Sequence, residues 1–399
     1  MPEVRTKHNI LIVHNRYLLP GGEDTVVENE KRLLEENGHK VFTYIRSNKL
    51  PWFRKALLPL TMFFDPFTFF AVRKIIRQKG IDIVHVHNTA HVIFPSVYYA
   101  ARSRRVPVVQ TIHNYRLSCP AGSFYRNGKI CDVCTDNKLT RAIRHGCYRG
   151  SKLQTLAVVL NMKLHRAAGI YRDLNYITLS QFGKGILLRS AQVLPDHVFI
   201  KPNFTYASGD HPTVRDKQEP YYLFSGRLEE IKGVRLVAEA FRQMPGKRLK
   251  IAGDGPLMDE IRSMIRDNTV NNIELLGWVP HDEFRRLLRD SLALIICPQC
   301  QEPFSMLTIE AFAEHTPVIG GNIGNIPNLV KDKTNGILFQ YDSAAGLMEA
   351  IGKFEACDRK ELAENAFKNW EERYSPEENY RELARIYNDV QQSGTGHRN

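Results

Sequence analysis

Short apolar runs alternate with longer amphipathic stretches along most of this chain. In the first half the runs are Asn9–Val13, Val41–Tyr44, Ile81–His87, Val106–His113, Tyr176–Ser180 and Val198–Lys201. Strands that are apolar throughout, and not only at every second residue, are typical of parallel sheets covered by helices on both faces. The first intervening stretch, Glu23–Glu36, has helical periodicity and ends at Asn37-Gly38. This half therefore predicts a doubly wound α/β domain.

The second half restarts the same pattern after a stretch rich in turn-forming and charged residues, Asn203–Pro220, which is predicted to be a linker. Its runs are Tyr222–Ser225, Leu249–Ala252, Ile273–Leu276, Leu292–Cys297 and Pro317–Ile319. The chain of 399 residues is thus expected to form two domains, 1–203 and 204–375. An amphipathic segment within 376–399 is expected to cross back to the first domain and end in a flexible tail.

Charge divides the chain in the same place. Residues 1–200 carry 30 Lys and Arg against 13 Asp and Glu, whereas residues 201–399 carry 25 against 30. A one-sided basic surface suits an anionic membrane, a phosphate-bearing substrate or nucleic acid. With 43% hydrophobic residues the chain is not expected to be disordered as a whole. Residues 1–9 are polar and indicate no secretory signal, so a reducing cytoplasm is expected.

Two glycine-containing loops follow strands and precede helices. Gly21-Gly22 leads into the first helix, where free backbone N–H groups could approach a phosphate; an ordinary glycine turn is the alternative. In Phe224–Gly233, Arg227 and Lys232 flank the next helix start and suit a diphosphate, although they could also be two solvated cations.

A pair of carboxylates lies further on, after the strand that ends near Cys297. Seven residues separate Glu302 from Glu310. If Thr308 opens a helix, Glu310 lies in its first turn and Glu302 lies on the preceding loop, so that the two could bind different hydroxyls of one ligand. The alternative is that Glu310 only complements the helix dipole.

Together these motifs carry a resemblance that spans nearly the whole chain. The order GG-E, SGRLEEIKG, AGDGP, LLGWVP, EPFSMLTIE and PVIGGNIGNIP closely resembles the family 4 retaining glycosyltransferases. The resemblance implies the GT-B fold, in which two Rossmann-like domains face each other across a deep cleft. It also implies that Glu302 contacts the transferred sugar, that Glu310 holds the ribose, and that Arg227 and Lys232 bind the donor diphosphate.

The same resemblance assigns the other site residues. His113, in Thr111-Ile-His-Asn114, matches the active-site histidine of the N-terminal domain. The remaining donor-binding residues are Gly22, Gly253, Val279, Pro303, Phe304, Ser305, Met306 and Leu307. Two residues depart from the family pattern, because Ser305 and His315 stand where the family commonly has glycine.

The segment 119–147 is an insertion with four cysteines, Cys119, Cys131, Cys134 and Cys147. One C-x2-C pair with two outlying cysteines could form a structural zinc site; unconnected thiols are the alternative. The catalytic chemistry is expected to need no cofactor. His85, His87 and His91 are expected to be core or cleft histidines, because no carboxylate or cysteine accompanies them in the local sequence.

The segment Trp52–Lys79 combines aromatic and basic residues around the apolar run Leu57–Val72. The run is too short to span a membrane comfortably and is interrupted by Asp65, Pro59 and Pro66. Its composition fits either an interfacial segment or a helix buried in the domain with a solvated end.

These features predict a retaining glycosyltransferase that moves a sugar from a nucleoside-diphosphate donor to a glycan or lipid-linked acceptor. It would work in cell-envelope polysaccharide or glycolipid biosynthesis, on the inner face of the cytoplasmic membrane. A nucleotide-sugar epimerase or hydrolase of the same fold is one alternative. A basic nucleic-acid-binding protein is another, although that function would not explain the paired carboxylates; a zinc-dependent interaction module is the third.

Overall fold

The chain divides into two compact units in a computed structural model. It describes residues 7–17, 21–49, 51–52, 57–58, 61–90, 92–136, 138–191, 193–209, 220–267 and 270–395, with the side chains of these residues up to 393 except that of residue 267. Unit 1 comprises Met1–Gly122, Asp132–Asn203 and Glu377–Asn399, and unit 2 comprises Ser123–Cys131 and Phe204–Pro376. His91, Arg54, Lys55 and the greater part of the expected linker, 210–219, lie outside the described residues.

Unit 1 is built around a parallel sheet of six strands in the order β2-β1-β3-β4-β7-β8. Its strands are β1 Asn9–Arg16, β2 Lys40–Ser47, β3 Ile83–Asn88, β4 Val108–Ile112, β7 Asn175–Thr178 and β8 Val198–Ile200. Its helices are α1 Gly22–Glu36, α2 Pro66–Lys79, α3 Ser96–Arg102, α4 Thr140–His145, α5 Lys152–Ala167, α6 Gln181–Ser190 and α14 Pro376–Thr395.

Both faces of this sheet are covered, as the apolar runs predict. On one face Leu11, Val84 and Tyr176 join a cluster with α2 and α3. On the other face Ile10 and Ile12 pack with α1 and with the last helix, α14, through Leu383, Ile386 and Tyr387. The strand order changes direction between β1 and β3, which is the place where open α/β sheets bind ligands at the carboxyl ends of their strands.

Unit 2 contains a second parallel sheet, in the order β11-β10-β9-β12-β13-β14. The strands are β9 Tyr222–Ser225, β10 Leu249–Ala252, β11 Ile273–Gly277, β12 Leu294–Ile296, β13 Val318–Gly321 and β14 Gly336–Phe339. The helices are α7 Val234–Arg242, α8 Met258–Asp267, α9 His281–Asp290, α10 Met306–Ala313, α11 Ile326–Leu329, α12 Ala344–Glu355 and α13 Arg359–Arg373. The reversal lies between β9 and β12, which pair directly.

Three features differ from the sequence expectations. Strand β14 and the two-stranded hairpin of β5 Tyr125–Arg126 and β6 Lys129–Ile130 were not predicted. The expected linker also begins within packed structure, because Phe204 and Thr205 are buried and Thr205 O accepts a hydrogen bond from Trp370 Nε1.

The apolar run at 57–72 is divided by a turn in the described residues. Asp65 ends the turn and caps α2 by accepting hydrogen bonds from Phe67 N and Thr68 N. Helix α2 then buries Thr68, Val72 and Ile76 and leaves Phe67 and Phe70 exposed, so it has both a buried and a solvent-facing side. No helix in the described part of the chain has the length and apolar character required to cross a membrane.

Candidate functional site

The two expected diphosphate ligands lie on the loop that follows β9, at the reversal of the unit 2 sheet. Arg227 comes two residues after the strand; its guanidinium is partly exposed and its Nη1 donates to Glu229 Oε1 at 3.2 Å. Lys232 ends a short 3-10 turn just before α7. Since ligands of such sheets bind at the carboxyl ends of the strands on either side of the reversal, this loop and the loop after β12 are the expected ligand-binding loops.

The loop after β12 brings Glu302 to Lys232. Lys232 Nζ donates to Glu302 Oε1 at 2.5 Å, and both side chains are partly buried. Burial works to lower the pKa of Lys232, but the charge and the hydrogen bond of Glu302 outweigh it and raise that pKa. The structure therefore joins a cation and a carboxylate that lie seventy residues apart in the sequence.

Backbone contacts hold Glu302 in this position. Asn325 N donates to Glu302 O at 3.2 Å, and the preceding Gly324 has φ +58°. A Cβ at Gly324 would lie 2.7 Å from Glu302 N, so only glycine allows this close approach.

Helix α10 begins at Met306, two residues before the expected start at Thr308, because Ser305 caps it. Ser305 Oγ accepts hydrogen bonds from Thr308 N at 3.3 Å and from Thr308 Oγ1 at 2.9 Å. The expectation that Glu310 lies in the first turn is therefore wrong, and the dipole alternative loses its geometric basis since the field of the helix end falls off within one turn.

The side chain of Glu310 is almost fully buried, and its neighbour is a residue that the sequence analysis missed. His281 Nε2, at the start of α9, lies 4.0 Å from Glu310 Oε1. The interaction with this carboxylate raises the pKa of His281. The only sequence signal for His281 is its place directly after LLGWVP.

The remaining donor-site residues of unit 2 surround the same loops. Pro303, Met306 and Leu307 are partly exposed at the start of α10, whereas Phe304 is buried and makes an edge contact with Tyr374. Gly253 has φ +145° and packs so closely on the loop after β9 that a Cβ would lie 1.9 Å from Gly226 O. Val279 is partly buried on the loop after β11, beside the exposed Trp278.

His315, which stands where the family commonly has glycine, is held by an aromatic contact. His315 adopts φ +55°, a conformation that favours glycine, and its ring stacks on Phe367 at 3.9 Å with an angle of 6° between the rings. This stacking offsets the backbone strain that a side chain introduces here.

In unit 1, Gly22 is the first residue of α1, so backbone N–H groups of the helix start follow the loop after β1. Residues 18–20 of that loop lie outside the described part. Glu23, which the sequence analysis quoted without a role, accepts a hydrogen bond from Asn114 Nδ2 at 2.9 Å. Its Oε2 is buried without a hydrogen-bond partner among the described residues, and burial raises the pKa of Glu23.

His113 lies at the end of β4 and continues into a row of buried side chains. His113 Nε2 is 3.0 Å from His87 Nδ1, and His87 Nε2 is 3.3 Å from Glu30 Oε1. Burial lowers the pKa of His87 to about 4 and holds the pKa of His113 well below its usual range. Burial alone would raise the pKa of Glu30, but His85 and Lys201 hold it well below its usual range.

These protonation states determine the direction of the hydrogen bonds. His87 Nε2 and Glu30 Oε1 are 3.3 Å apart without a hydrogen bond between them, but a carboxylate at this distance repels a lone pair and so favours the proton on His87 Nε2. A neutral His87 then accepts at Nδ1, and His113 Nε2 must donate to it. The free lone pair of His113 is consequently on Nδ1, where it can accept a hydrogen bond from a hydroxyl group.

Nothing in the sequence connects Glu30 with these histidines, because α1 is far from β3 along the chain. Glu30, His85 and His87 form the one set of three or more potential metal ligands within 4.8 Å that the described residues contain. Lys201 Nζ lies 3.2 Å from Glu30 Oε2, so a fixed cation already neutralises the carboxylate. We therefore interpret this cluster as a buried charge network.

The four cysteines of the insertion are all described, and none of them belongs to the set of potential metal ligands just named. Cys119 and Cys134 are buried, and Cys131 and Cys147 are partly buried. Whether the protein takes up zinc stays a prediction.

A cavity in unit 1 opens beside the loops that follow β3 and β4. Thr89, Ala90 and Arg116 line it from these loops, and Met62, Phe94 and Met162 give it an apolar wall. The cavity thus combines one cation with mostly apolar surface at the ligand-binding edge of the sheet.

The chain matches two family models and is similar in sequence to known proteins. Residues 210–371 match the family described as Glycosyl transferases group 1, and residues 20–132 match that described as Glycosyltransferase Family 4. An uncharacterized glycosyltransferase of Methanocaldococcus jannaschii is 29% identical over 170 residues, which is 42% of this chain and about half, 48%, of that protein. The N-acetyl-alpha-D-glucosaminyl L-malate synthase of Bacillus anthracis is 20% identical over 392 residues, covering 93% and 94% of the two chains.

Among solved structures, Anabaena HepE in complex with UDP and glucose superposes with a TM-score of 0.68 at 15% identity, over 96% of this chain and 100% of that one. At this identity the likeness shows the fold. Two parallel α/β units, each with its strand-order reversal at the centre of the sheet, match the GT-B fold of the glycosyltransferases among these structures. The chain belongs to the group 1, or family 4, glycosyltransferases.

Proposed function

We propose that this glycosyltransferase takes its sugar from a nucleoside-diphosphate donor and transfers it with retention of the anomeric configuration. The observation that carries the proposal is the contact between Lys232 and Glu302 at 2.5 Å, on the two loops that flank the reversal of the unit 2 sheet. Arg227 lies on the first of these loops, and Glu310 follows the second.

Arg227 and Lys232 would stabilise the charge that develops on the leaving diphosphate. Fixed charges aimed at developing charge are the largest single contribution in many enzymes. Glu302 would lie beside the transferred sugar, whose ring gains positive character as the bond to the phosphate breaks. The departing phosphate would accept the proton of the acceptor hydroxyl, which approaches from the same face; this part rests on the family resemblance.

The nucleotide would be held by Glu310 at its ribose, while Val279 and its neighbours border the base. The complex of Anabaena HepE with UDP and glucose supports a nucleotide as a ligand of a protein with this fold. His281 Nε2 lies 4.0 Å from Glu310 Oε1 in the described structure, beyond hydrogen-bond distance, so a ribose hydroxyl bound by Glu310 would not have to displace a hydrogen bond from His281.

The acceptor would be a glycan or lipid-linked molecule, bound at the unit 1 edge where His113 and the cavity lined by Arg116 lie. The excess of basic residues in this half supports work on the inner face of an anionic cytoplasmic membrane. Each Lys or Arg near such a surface contributes about 1 kcal/mol, so several can hold a protein there reversibly.

The test is incubation of the purified protein with a panel of nucleotide sugars and lipid extracts, scoring released nucleotide and glycosylated product. Nuclear magnetic resonance of the product reports its anomeric configuration, and we expect that of the donor. Transfer should continue in a chelator, because Arg227 and Lys232 supply the positive charge. Release of free sugar or an epimer at the same rate without any acceptor would overturn the proposal, as would an inverted product.

A further inference from the structure

The large apolar side chains exposed in the described residues are concentrated in one part of unit 1. Nine of the ten lie in two stretches, and only Trp278 lies in unit 2. The nine are Trp52, Leu57, Phe64, Phe67, Phe70, Leu153, Leu156, Leu160 and Leu164. Exposed apolar residues scattered singly are normal, whereas a concentration of this kind marks a surface that contacts something else.

Helix α5 contributes the most regular part of this surface. Its four leucines follow each other at intervals of three, four and four residues, so they lie on one face of the helix. Their exposed fractions are 77%, 37%, 48% and 53%. The opposite face already packs on the unit through Thr155, Val159 and Met162, so the leucine row is not needed to hold α5 in place.

The second stretch lies directly against α5. Asn161 Nδ2 donates to Met62 O at 2.5 Å, and His165 Nε2 donates to Phe63 O at 2.8 Å. The ring of Phe64 contacts Tyr99, whose hydroxyl donates to His165 Nδ1 at 2.9 Å. We call the combined surface the apolar face; it consists of Phe64, Phe67, Phe70, Leu153, Leu156, Leu160 and Leu164.

The two helices that carry most of the apolar face contain charged side chains of one sign only. Helices α2 and α5 contain seven Lys and Arg and no Asp or Glu. Lys74, Arg77, Lys152 and Lys163 are exposed. A second copy of the chain docking face to face would bring these cations together, whereas an anionic bilayer offers both an apolar interior and a matching charge.

We propose that the apolar face inserts into the headgroup and acyl boundary of an anionic bilayer, with the leucine row of α5 as its main anchor. This inference deepens the proposed membrane association and rests on it, but it does not depend on the transfer reaction. It adds an apolar contribution to the electrostatic one, and apolar insertion is not screened by salt.

The test is flotation with vesicles of phosphatidylglycerol and phosphatidylcholine, compared with vesicles of phosphatidylcholine alone, at low and high salt. We expect binding to the anionic vesicles that persists in part at high salt. The variant with Leu153, Leu156, Leu160 and Leu164 replaced by glutamine should bind at least tenfold more weakly and lose the part that resists salt. Trp278→Gln, which removes the exposed apolar residue of unit 2, is the matched control and should bind vesicles like the wild type.

The results of this test distinguish insertion into a bilayer from no membrane association and from contact with a second copy of the chain. Vesicle binding by the leucine variant equal to that of the wild type, with both variants folded by circular dichroism, would overturn the inference. Absence of any vesicle binding by the wild type, together with sugar transfer to an acceptor in detergent, would refute membrane association while leaving the transferase function intact. A wild-type dimer that becomes monomeric in the leucine variant by sedimentation velocity would assign the face to a second copy instead.

Discussion

The ammonium group of Lys232 lies 2.5 Å from Glu302 Oε1, so two residues expected to handle different parts of the donor are already an ion pair without it. The pair keeps both partly buried charges neutralised. A diphosphate bound as proposed would compete with Glu302 for the same ammonium group. Substitution of either residue therefore leaves the charge of the other without its ion-pair partner.

Arg227→Ala and Lys232→Ala should each lower turnover by about 10²–10³, because each removes a cation from the leaving diphosphate. Steady-state kinetics with a saturating donor measures the effect. Arg242→Ala is the control, since Arg242 pairs with Glu239 on the surface of α7. If both single variants turn over like the wild type, the diphosphate assignment is wrong.

The two carboxylates should separate in a binding experiment. Glu302→Gln should lower turnover while nucleotide binding is kept or strengthened, because Lys232 loses its competing partner. Glu310→Ala should weaken nucleotide binding by roughly 10–100-fold, as expected for the loss of a charged hydrogen bond. Calorimetry with free nucleotide measures both, and the reverse pattern would exchange the two roles.

The row of contacts from Glu30 through His87 to His113 predicts one tautomer for each ring. Long-range proton–nitrogen spectra should show the proton of His113 and that of His87 on Nε2 at neutral pH. Glu30→Gln removes the anion that orients His87. The Nε2 proton signals of the two rings should then broaden or be replaced by Nδ1 proton signals, and turnover should fall at an unchanged nucleotide affinity. A proton on His113 Nδ1 in the wild type would contradict the proposed hydrogen-bond direction, in which His113 Nε2 donates to His87 Nδ1.

The same row predicts how stability depends on pH. The folded-state pKa of His87 is lowered to about 4, whereas an unfolded histidine has its ordinary value near 6.5. Between these values the unfolded chain binds more protons, so the free energy of unfolding should fall as pH decreases from 6.5 and this contribution should level off near 4. Urea titrations should show a loss on the order of 1–3 kcal/mol from this residue, and a smaller loss in His87→Gln.

Gly253→Ala should destabilise unit 2 by roughly 2–4 kcal/mol, because its Cβ would lie 1.9 Å from Gly226 O and its φ is +145°. It should also displace the loop that carries Arg227 and weaken nucleotide binding. Gly246→Ala is the matched control, since a Cβ there meets nothing within 4 Å. Equal melting temperatures of the two variants would contradict this account.

If the cysteines of the insertion do bind zinc, the purified protein should contain about one ion per chain, the stoichiometry of a closed tetrahedral site. Cys131→Ser should then release the ion and lower the melting temperature. Cys300→Ser serves as the control, because burial raises the pKa of the Cys300 thiol to about 12 and makes it a poor ligand. Full stability and activity of metal-free protein would leave these residues as ordinary thiols.

The sequence by itself determined the class of fold, because continuous apolar runs that alternate with amphipathic stretches are typical of parallel sheets covered by helices on both faces. It also placed Arg227 and Lys232 on one loop and Glu302 on another, since each follows a recognisable strand. Short strands such as β14, and the cap that starts α10 at Met306, escaped prediction because they depend on pairing and hydrogen bonding that apolar periodicity does not report.

Only the tertiary structure decided which of these groups meet. The contacts of Lys232 with Glu302, of Glu310 with His281 and of Glu30 with His87 join separate elements, and sequence distance says nothing of them. The leucines of α5 are a further case: their spacing fits a buried stripe as well as an exposed one. Which face of a helix meets solvent is determined by the elements packed against it, and here those elements cover the side opposite the leucine row.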